Sequence, residues 1–310
     1  MKTTKIAVVG VTGLVGQMML KVLEERHINV NGEFFLFASP VHAGEKITIN
    51  GNDYVVEVLT PTRVAEIKAD FALFAAGADV AREWAPRFIA AGTTVIDNSS
   101  YFRMQPDVPL VVPEINLETI GHSKLIANPN CSTIGAVVAL APLDRVYKIK
   151  RIVYSTYQAI SGAGRNPQFK YPIVNNILPD IDLRLPDGNT KEEAKMINET
   201  RKILGRNQLA VSATAARVPV ANCHCVSINV EFCCRPNLEQ VKKILSQAPG
   251  VVYCDDYAVP TQVSGHDEVY VGRVRLDQSQ PNTLNLWTVS DNLRKGAATN
   301  AVQIMESLLA

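Results

Sequence analysis

The chain has 310 residues, 47% of them hydrophobic and 20% charged, with a formal net charge of +1. That balance suits a globular protein large enough for two domains and gives no electrostatic reason to expect nucleic acid or a membrane surface as partner. No apolar run is long enough to span a bilayer, and six cysteines without dense, even spacing read as reduced thiols rather than a disulfide framework.

The opening "MKTTKIAVVG" enters a strand-like run with no signal-peptide pattern, so a cytoplasmic location is expected. Lys5 to Gly10 is an apolar run closed by glycine, and "GLVGQMMLKVLEER" from Gly13 carries apolar residues at helical spacing. Glu33 to Ser39 predicts a second strand. "KITINGNDYVVEV" alternates around Asn50-Gly51, a dipeptide that favours a tight hairpin. "DFALFAAG" and "TTVIDNS" predict strands on either side of a helix in "DVAREWAPRFIAAG". Repeated strand, helix and strand predict an α/β fold, a Rossmann-like doubly wound sheet, over residues 1–127. "STIGAVVALAPL" then reads as a helix, with Ser132 and Thr133 offering capping hydroxyls. Five longer β-rich segments follow, from "KRIVYSTYQAIS" to "NTLNLWTVS", interrupted by helices in "TKEEAKMINETRKIL" and "NLEQVKKILSQ". Residues 128–290 are therefore expected to form an α+β domain with a mostly antiparallel sheet. "DNLRKGAATNAVQIMESLL" predicts one amphipathic helix, 291–310, returning to complete the first domain.

"GVTGLVG" places Gly10, Gly13 and Gly16 three residues apart between the first strand and the first helix. Glycines there let a pyrophosphate approach the backbone, and the helix N-terminus offers N–H groups and a positive dipole. A tight turn that binds nothing is the alternative. The second strand ends in "FASPVHAGEK" with no acid before Glu45, and an NAD-specific fold usually places one there. Ser39, His42 and Lys46 could instead face a 2′-phosphate, which favours NADP.

"NPNCSTIGA" brings Cys131 to the start of a helix, where the dipole favours the thiolate. Pro129 stiffens the approach. "CHC" at Cys223–Cys225 invites a zinc reading, yet on a strand His224 faces away from both cysteines, so no metal is expected. His224 stands either as a general base or as a structural histidine. Arg217, a short distance upstream, could hold a carboxylate through a bidentate pair. Glu192 and Lys195 share one helix face, which by spacing alone is an ordinary i,i+3 ion pair; Arg103 alone reads as a solvated charge.

Together these motifs resemble the aspartate-β-semialdehyde dehydrogenase family. The resemblance rests on "GVTGLVG", "DNSSYFRMQPDVPLVVPEIN", "IANPNCSTIGAVVAL", "YSTYQAISGAG", "EEAKMINETRKIL", "SATAARVPV" and "VSDNLRKGAATNAVQI". It implies NADPH-dependent reductive dephosphorylation of β-aspartyl phosphate through a cysteine thioester, in the biosynthesis of lysine and diaminopimelate, threonine, methionine and isoleucine. It implies Cys131 as nucleophile with Asn130 beside it, Gln158 orienting the adduct, and His224 as acid/base. Arg217 would take the substrate carboxylate, Glu192 its ammonium, and Arg103 and Lys195 the phosphate. Thr12, Gly13, Leu14 and Val15, with Ser161, Gly162 and Asn292, would contact the cofactor. Residues 128–290 become a catalytic and oligomerisation domain, and a homo-oligomer, dimer or tetramer, is implied.

This chain departs from the family pattern twice. The segment between "SGAG" and "KYPIVNNILP" is abridged, which touches the family's subunit interface. Val41-His42 replaces the family's common Arg-Ser, which leaves NAD open beside NADP. Two other readings remain at this stage: a related acyl-phosphate or acyl-CoA reductase with another substrate, and a non-catalytic NADP-binding paralogue. The retained Glu192 speaks against the first, since those substrates lack an ammonium. The joint presence of Cys131, Gln158, Arg217 and His224 speaks against the second.

Overall fold

A computed structural model describes residues 4–28 and 32–309. The chain divides into two compact units. One gathers the chain up to Pro113, Leu117–Pro129 and the segment from Ala297 onward; the other holds Glu114–Asn116 and Asn130–Gly296.

The first unit contains β1 (Lys5–Val9), α1 (Leu14–Glu25), β2 (Glu33–Phe37), β3 (Lys46–Ile49), β4 (Asn52–Glu57), α2 (Pro61–Ile67), β5 (Phe71–Phe74), α3 (Ala78–Ala90), β6 (Thr94–Asp97) and β7 (Leu125–Ala127). Its seven strands run in the order β3-β4-β2-β1-β5-β6-β7, all pairs parallel except the β3–β4 hairpin. Asn50 and Gly51 turn that hairpin with φ of 49° and 78°, the left-handed pair that matches strand twist. The central strands are short apolar runs buried along their length, as a parallel sheet covered on both faces requires. Ile6, Val8, Leu36 and Leu73 pack there with Met19 and Leu23 of α1. Two elements fall outside the sequence expectation. In α2 the Thr60 hydroxyl accepts the Arg63 N–H at 3.2 Å and Pro61 opens the first turn; β7 is only three residues long, too short to carry a periodic signal.

The second unit follows the single turn α4 (Pro113–Asn116) with α5 (Cys131–Tyr147), β8 (Ile149–Gln158), α6 (Lys191–Ile203), β9 (Ala210–Arg217), β10 (His224–Phe232), α7 (Leu238–Gln247), β11 (Val251–Tyr253), the single turn α8 (Pro260–Val263), β12 (Val269–Leu276) and β13 (Thr283–Ser290). The sheet order is β11-β12-β13-β10-β8-β9. β8–β9 and β11–β12 pair parallel, the other neighbours antiparallel. Register decides the site: Gln158 sits opposite Arg217, and Cys225 opposite Tyr157, so Gln158, Arg217 and His224 gather at one end of the sheet. α5 is apolar all round and buried from Ser132 to Ala141, the signature of a central helix.

The capping expectation for α5 needs correction. Asn130, not Ser132 or Thr133, caps the helix: its Oδ1 accepts the N–H groups of Ser132 and Thr133 at 3.0 and 3.3 Å. Asn130 precedes the first helical residue with extended backbone (φ −62°, ψ 143°), so its side chain reaches the second and third N–H groups. The hydroxyls of Ser132 and Thr133, already inside the helix, are buried without a hydrogen-bond partner.

The continuous C-terminal helix also needs correction. Arg294–Ala298 forms a π-turn, and α9 spans only Thr299–Leu309. Asp291 causes the break. Its Oδ1 accepts the N–H of Leu293 and Arg294, and its carbonyl accepts the Gly296 N–H at 3.0 Å, an i,i+5 bond. Beyond the turn, Val302 and Met305 of α9 join the core of the first unit, and Glu306 pairs with Arg26 at 2.6 Å.

Candidate active site

The second unit brings ten of the expected residues into one neighbourhood. Cys131 is the first residue of α5 and is half-buried, held by the Asn130 cap on one side. On the other side lies Gly296 of the π-turn; a Cβ placed there would stand 2.8 Å from the Cys131 Cβ. The glycine is what lets the turn press against the cysteine.

His224 opens β10 and is 1% exposed. Its Nδ1 accepts the Ala159 N–H at 3.0 Å, so the neutral ring carries its proton on Nε2. Burial, and the Arg217 guanidinium beside it, lower its pKa to about 3. The ring is therefore neutral at physiological pH, with an Nε2–H that has no hydrogen-bond partner. It offers a donor at Nε2, the atom at which a general base would need a lone pair.

Arg217, the last residue of β9, is 5% exposed and donates through Nη1 to the Ala159 carbonyl at 2.7 Å. Burial lowers its pKa, opposed by the charges of Cys131 and Glu192, which places all three groups within electrostatic reach. A Cβ on Gly162 would come within 2.8 Å of both the Arg217 guanidinium and the His224 ring, so Gly162 roofs this pair. Ser161 and Asn292 sit alongside. Asn292 Nδ2 donates to Ser161 Oγ at 3.0 Å, and Asn292 Oδ1 accepts the Cys223 N–H at 2.9 Å, next to His224.

Glu192 is the hub. One oxygen accepts from Asn130 Nδ2 and Gln158 Nε2, each at 3.0 Å, and the other from Lys195 Nζ at 3.1 Å. Desolvation opposes its charge, but the Lys195 ammonium and these donors prevail and hold its pKa below the usual carboxylate range. The i,i+3 spacing thus makes an ion pair, but one whose carboxylate is 5% exposed. Lys195 also meets Asp182 at 3.0 Å. A cavity of about 560 Å³ opens beside Arg217, walled by Lys170, Tyr171, Asp182 and Arg184.

In the first unit Gly10, Thr12, Gly13 and Ser39 line a cavity of about 530 Å³ whose far wall includes Trp84. It lies at the carboxyl ends of β1, β2 and β5, where open α/β sheets bind ligands. Gly10 has φ +86°, and a Cβ there would stand 2.8 Å from the Ala75 backbone. Gly16 serves packing, since its Cβ would overlap the Gly10 carbonyl and the Val11 backbone. Leu14 begins α1, and Val15 packs against the apolar core. A narrow glycine-walled cleft with an aromatic flank fits a dinucleotide. His42 is half-buried, and its Nδ1 meets Glu45 at 2.8 Å, so an acid does stand near the position expected to receive a 2′-phosphate. Arg103, also in this unit, is buried and donates to the Asn98 carbonyl at 2.8 Å.

Cys223 and Cys225 pack in an apolar cluster with Val263 and Val289, and burial raises both thiols to about 12. Cys223 stands before the strand with φ +73°. Among the described residues, no helix is long and apolar enough to cross a membrane.

Residues 5–123 match the family described as "Semialdehyde dehydrogenase, NAD binding domain", and residues 140–295 match "Semialdehyde dehydrogenase, dimerisation domain". An aspartate-semialdehyde dehydrogenase of Aquifex aeolicus is 45% identical over 334 aligned positions, covering 98% of each chain. One of Campylobacter jejuni is 42% identical, covering 99% of this chain and 98% of its own. In the Aquifex alignment, 98% of 310 residues fill about 304 of 334 positions, so about 30 are occupied by the relative alone. Among solved structures, aspartate semialdehyde dehydrogenase II of Vibrio cholerae, complexed with ASA, superposes with a TM-score of 0.95 at 39% identity, covering 100% of this chain and 99% of its own. The Candida albicans enzyme with NADP superposes at 0.80 with 29% identity, covering 100% and 99%.

Proposed function

Since the chain belongs to the aspartate-semialdehyde dehydrogenase family, we propose that it reduces β-aspartyl phosphate to aspartate β-semialdehyde, and the reverse, with NADP as cofactor. The pathway is that of lysine, threonine, methionine and isoleucine, in the cytoplasm, and the working form is a homodimer. The observation that carries the reading is the junction at Cys131. A half-buried cysteine at a helix N-terminus stands in the same unit as a neutral imidazole and a buried guanidinium that senses its charge.

The thiolate of Cys131 attacks the acyl carbon and expels phosphate, giving a thioester. Gly10, Thr12, Gly13 and Ser39 would hold the dinucleotide, which would supply the hydride needed to reduce the thioester to a thiohemiacetal. Collapse of the thiohemiacetal releases the aldehyde and restores the thiolate. Arg217 takes the substrate α-carboxylate as a bidentate pair, and Glu192 takes the ammonium by exchanging one of its present donors. Lys195 takes the phosphate; Arg103, expected from the sequence to join it, stands in the first unit. His224 donates its Nε2–H toward the oxygen that gains charge at the reacting carbon, and Gln158 fixes the adduct.

Steady-state oxidation of NADPH with β-aspartyl phosphate, beside N-acetylglutamyl phosphate, tests the reading. We expect turnover with the first alone and none in Cys131→Ala. Preference for the second compound, or activity surviving in Cys131→Ala, would refute it.

A further inference from the structure

Beside Glu192, helix α6 presents a second buried acid to the cysteine junction. Glu192 and Glu199 are seven residues apart, about two helical turns, and so share one face. They are 5% and 0% exposed. Both end on Asn130: Glu192 accepts its side-chain Nδ2 at 3.0 Å, and Glu199 Oε2 accepts its backbone N–H at 2.6 Å. The carboxamide oxygen of Asn130 is committed to the first turn of α5. Three separate points of one residue are thus tied, two of them by carboxylates of a single helix. The N–H bond fixes the peptide plane on the amino side of Asn130, and the side-chain bonds fix its rotamer. On the side that leads into Cys131, the Asn130 carbonyl accepts the Ile134 N–H at 2.9 Å, so the tied residue passes its orientation on to the start of α5.

We propose that Glu199 is a positioning residue for Cys131, acting through the Asn130 peptide to aim the sulfur; this rests on reading Cys131 as the nucleophile. A carboxylate does the task better than a neutral acceptor, because a charge-assisted hydrogen bond is shorter and stronger. It does so at an electrostatic cost, since an anion near the start of α5 opposes ionisation of the thiol. Positioning and ionisation therefore pull in opposite directions at this residue, and that separates its role from a structural one.

The test uses Glu199→Gln, which keeps shape and acceptor, with three readouts: kcat and KM for the semialdehyde with phosphate and NADP, the pH dependence of Cys131 alkylation by iodoacetamide, and thermal stability. We expect kcat to fall about tenfold or more with KM within about twofold, as a displaced reacting group predicts. The alkylation midpoint is expected to move down by about half a pH unit or more, because a negative charge has been removed. A thiol that ionises more readily yet turns over more slowly is the signature of lost aim. Wild-type kcat, a kcat loss matched by KM, or an unmoved midpoint each overturns the proposal. Wild-type protein that keeps its activity after alkylation of Cys131 would instead overturn the nucleophile reading. Should Glu199→Gln not fold, hydrogen exchange of the wild-type Asn130 amide decides: protection close to that of the α5 interior supports the clamp, and fast exchange removes it.

Discussion

Gly296→Ala should damage catalysis while leaving every side chain that meets substrate chemically unchanged. The added Cβ would lie 2.8 Å from the Cys131 Cβ and 3.2 Å from its Cα. Carbon atoms in contact sit at about 3.5–4.0 Å, so one partner must retreat by roughly 1 Å. The π-turn cannot yield easily, because the Gly296 N–H is bonded to Asp291 and the neighbouring Lys295 grips both oxygens of Glu114 at 2.7 and 2.8 Å. Cys131 is held in turn by the Asn130 cap. Overpacking of this kind costs about 1–3 kcal/mol, and a displacement near 1 Å at a reacting atom costs about 100-fold in rate. We therefore expect kcat to fall by one to two orders of magnitude, with a loss in Tm of roughly 2–10 °C. The assay is phosphate-dependent reduction of NADP by the semialdehyde, read beside the rate of Cys131 alkylation and a thermal melt. A variant with wild-type kcat and alkylation rate would show that the turn is not the wall behind the sulfur.

Three further outcomes follow from the charges around the site. His224 binds a proton in the folded state only near pH 3, whereas the unfolded imidazole does so below about 6.5; between these values the unfolded chain holds more protons. Stability should therefore rise with pH across that window, by up to about 1.4 kcal/mol per unit from this residue, and urea titrations of His224→Gln should lack that component; equal slopes would refute the buried neutral ring. Asp182→Asn removes one counter-charge from Lys195, and the KM for phosphate should drop about two- to fivefold with kcat little changed; an unchanged KM would take Lys195 out of the phosphate site. Glu45→Gln frees His42 from its acid, so calorimetric titration should show NADP gaining severalfold in affinity over NAD; equal affinities before and after would move the 2′-phosphate elsewhere.

How far the sequence reaches into this site depends on whether a residue's role is local. The glycine turn, the Asn50-Gly51 hairpin and the alternation of β8 are properties of a few adjacent residues, and each is readable from them. The cap of α5 lies at the limit. Ser, Thr and Asn are all good caps, and only the backbone angles at position 130 decide among them. Beyond that limit lie roles fixed by partners far along the chain. Glu199 reads as one more polar residue in "MINETRKIL" until α6 is laid against the start of α5, 69 positions away in sequence. The same holds for Gly296, which looks like a weak point in an amphipathic helix; its reason is a carbon atom on Cys131, not its own turn. Charge counts mislead in the same way. Glu192 and Lys195 have the spacing of a surface pair worth a few tenths of a kcal/mol, yet the carboxylate is buried and carries Asn130 and Gln158 as well. The feature that would have marked it is the pattern of three acids, at 192, 193 and 199, on the buried side of one helix. Buried carboxylates are costly unless each has donors. Glu193 finds them in the Thr190 and Ala215 N–H groups, the latter on the strand that carries Arg217. One helix thus ties down the elements that bear the cysteine, the glutamine and the arginine, which gives α6 a reason to be acidic on the face where a core helix would ordinarily be apolar.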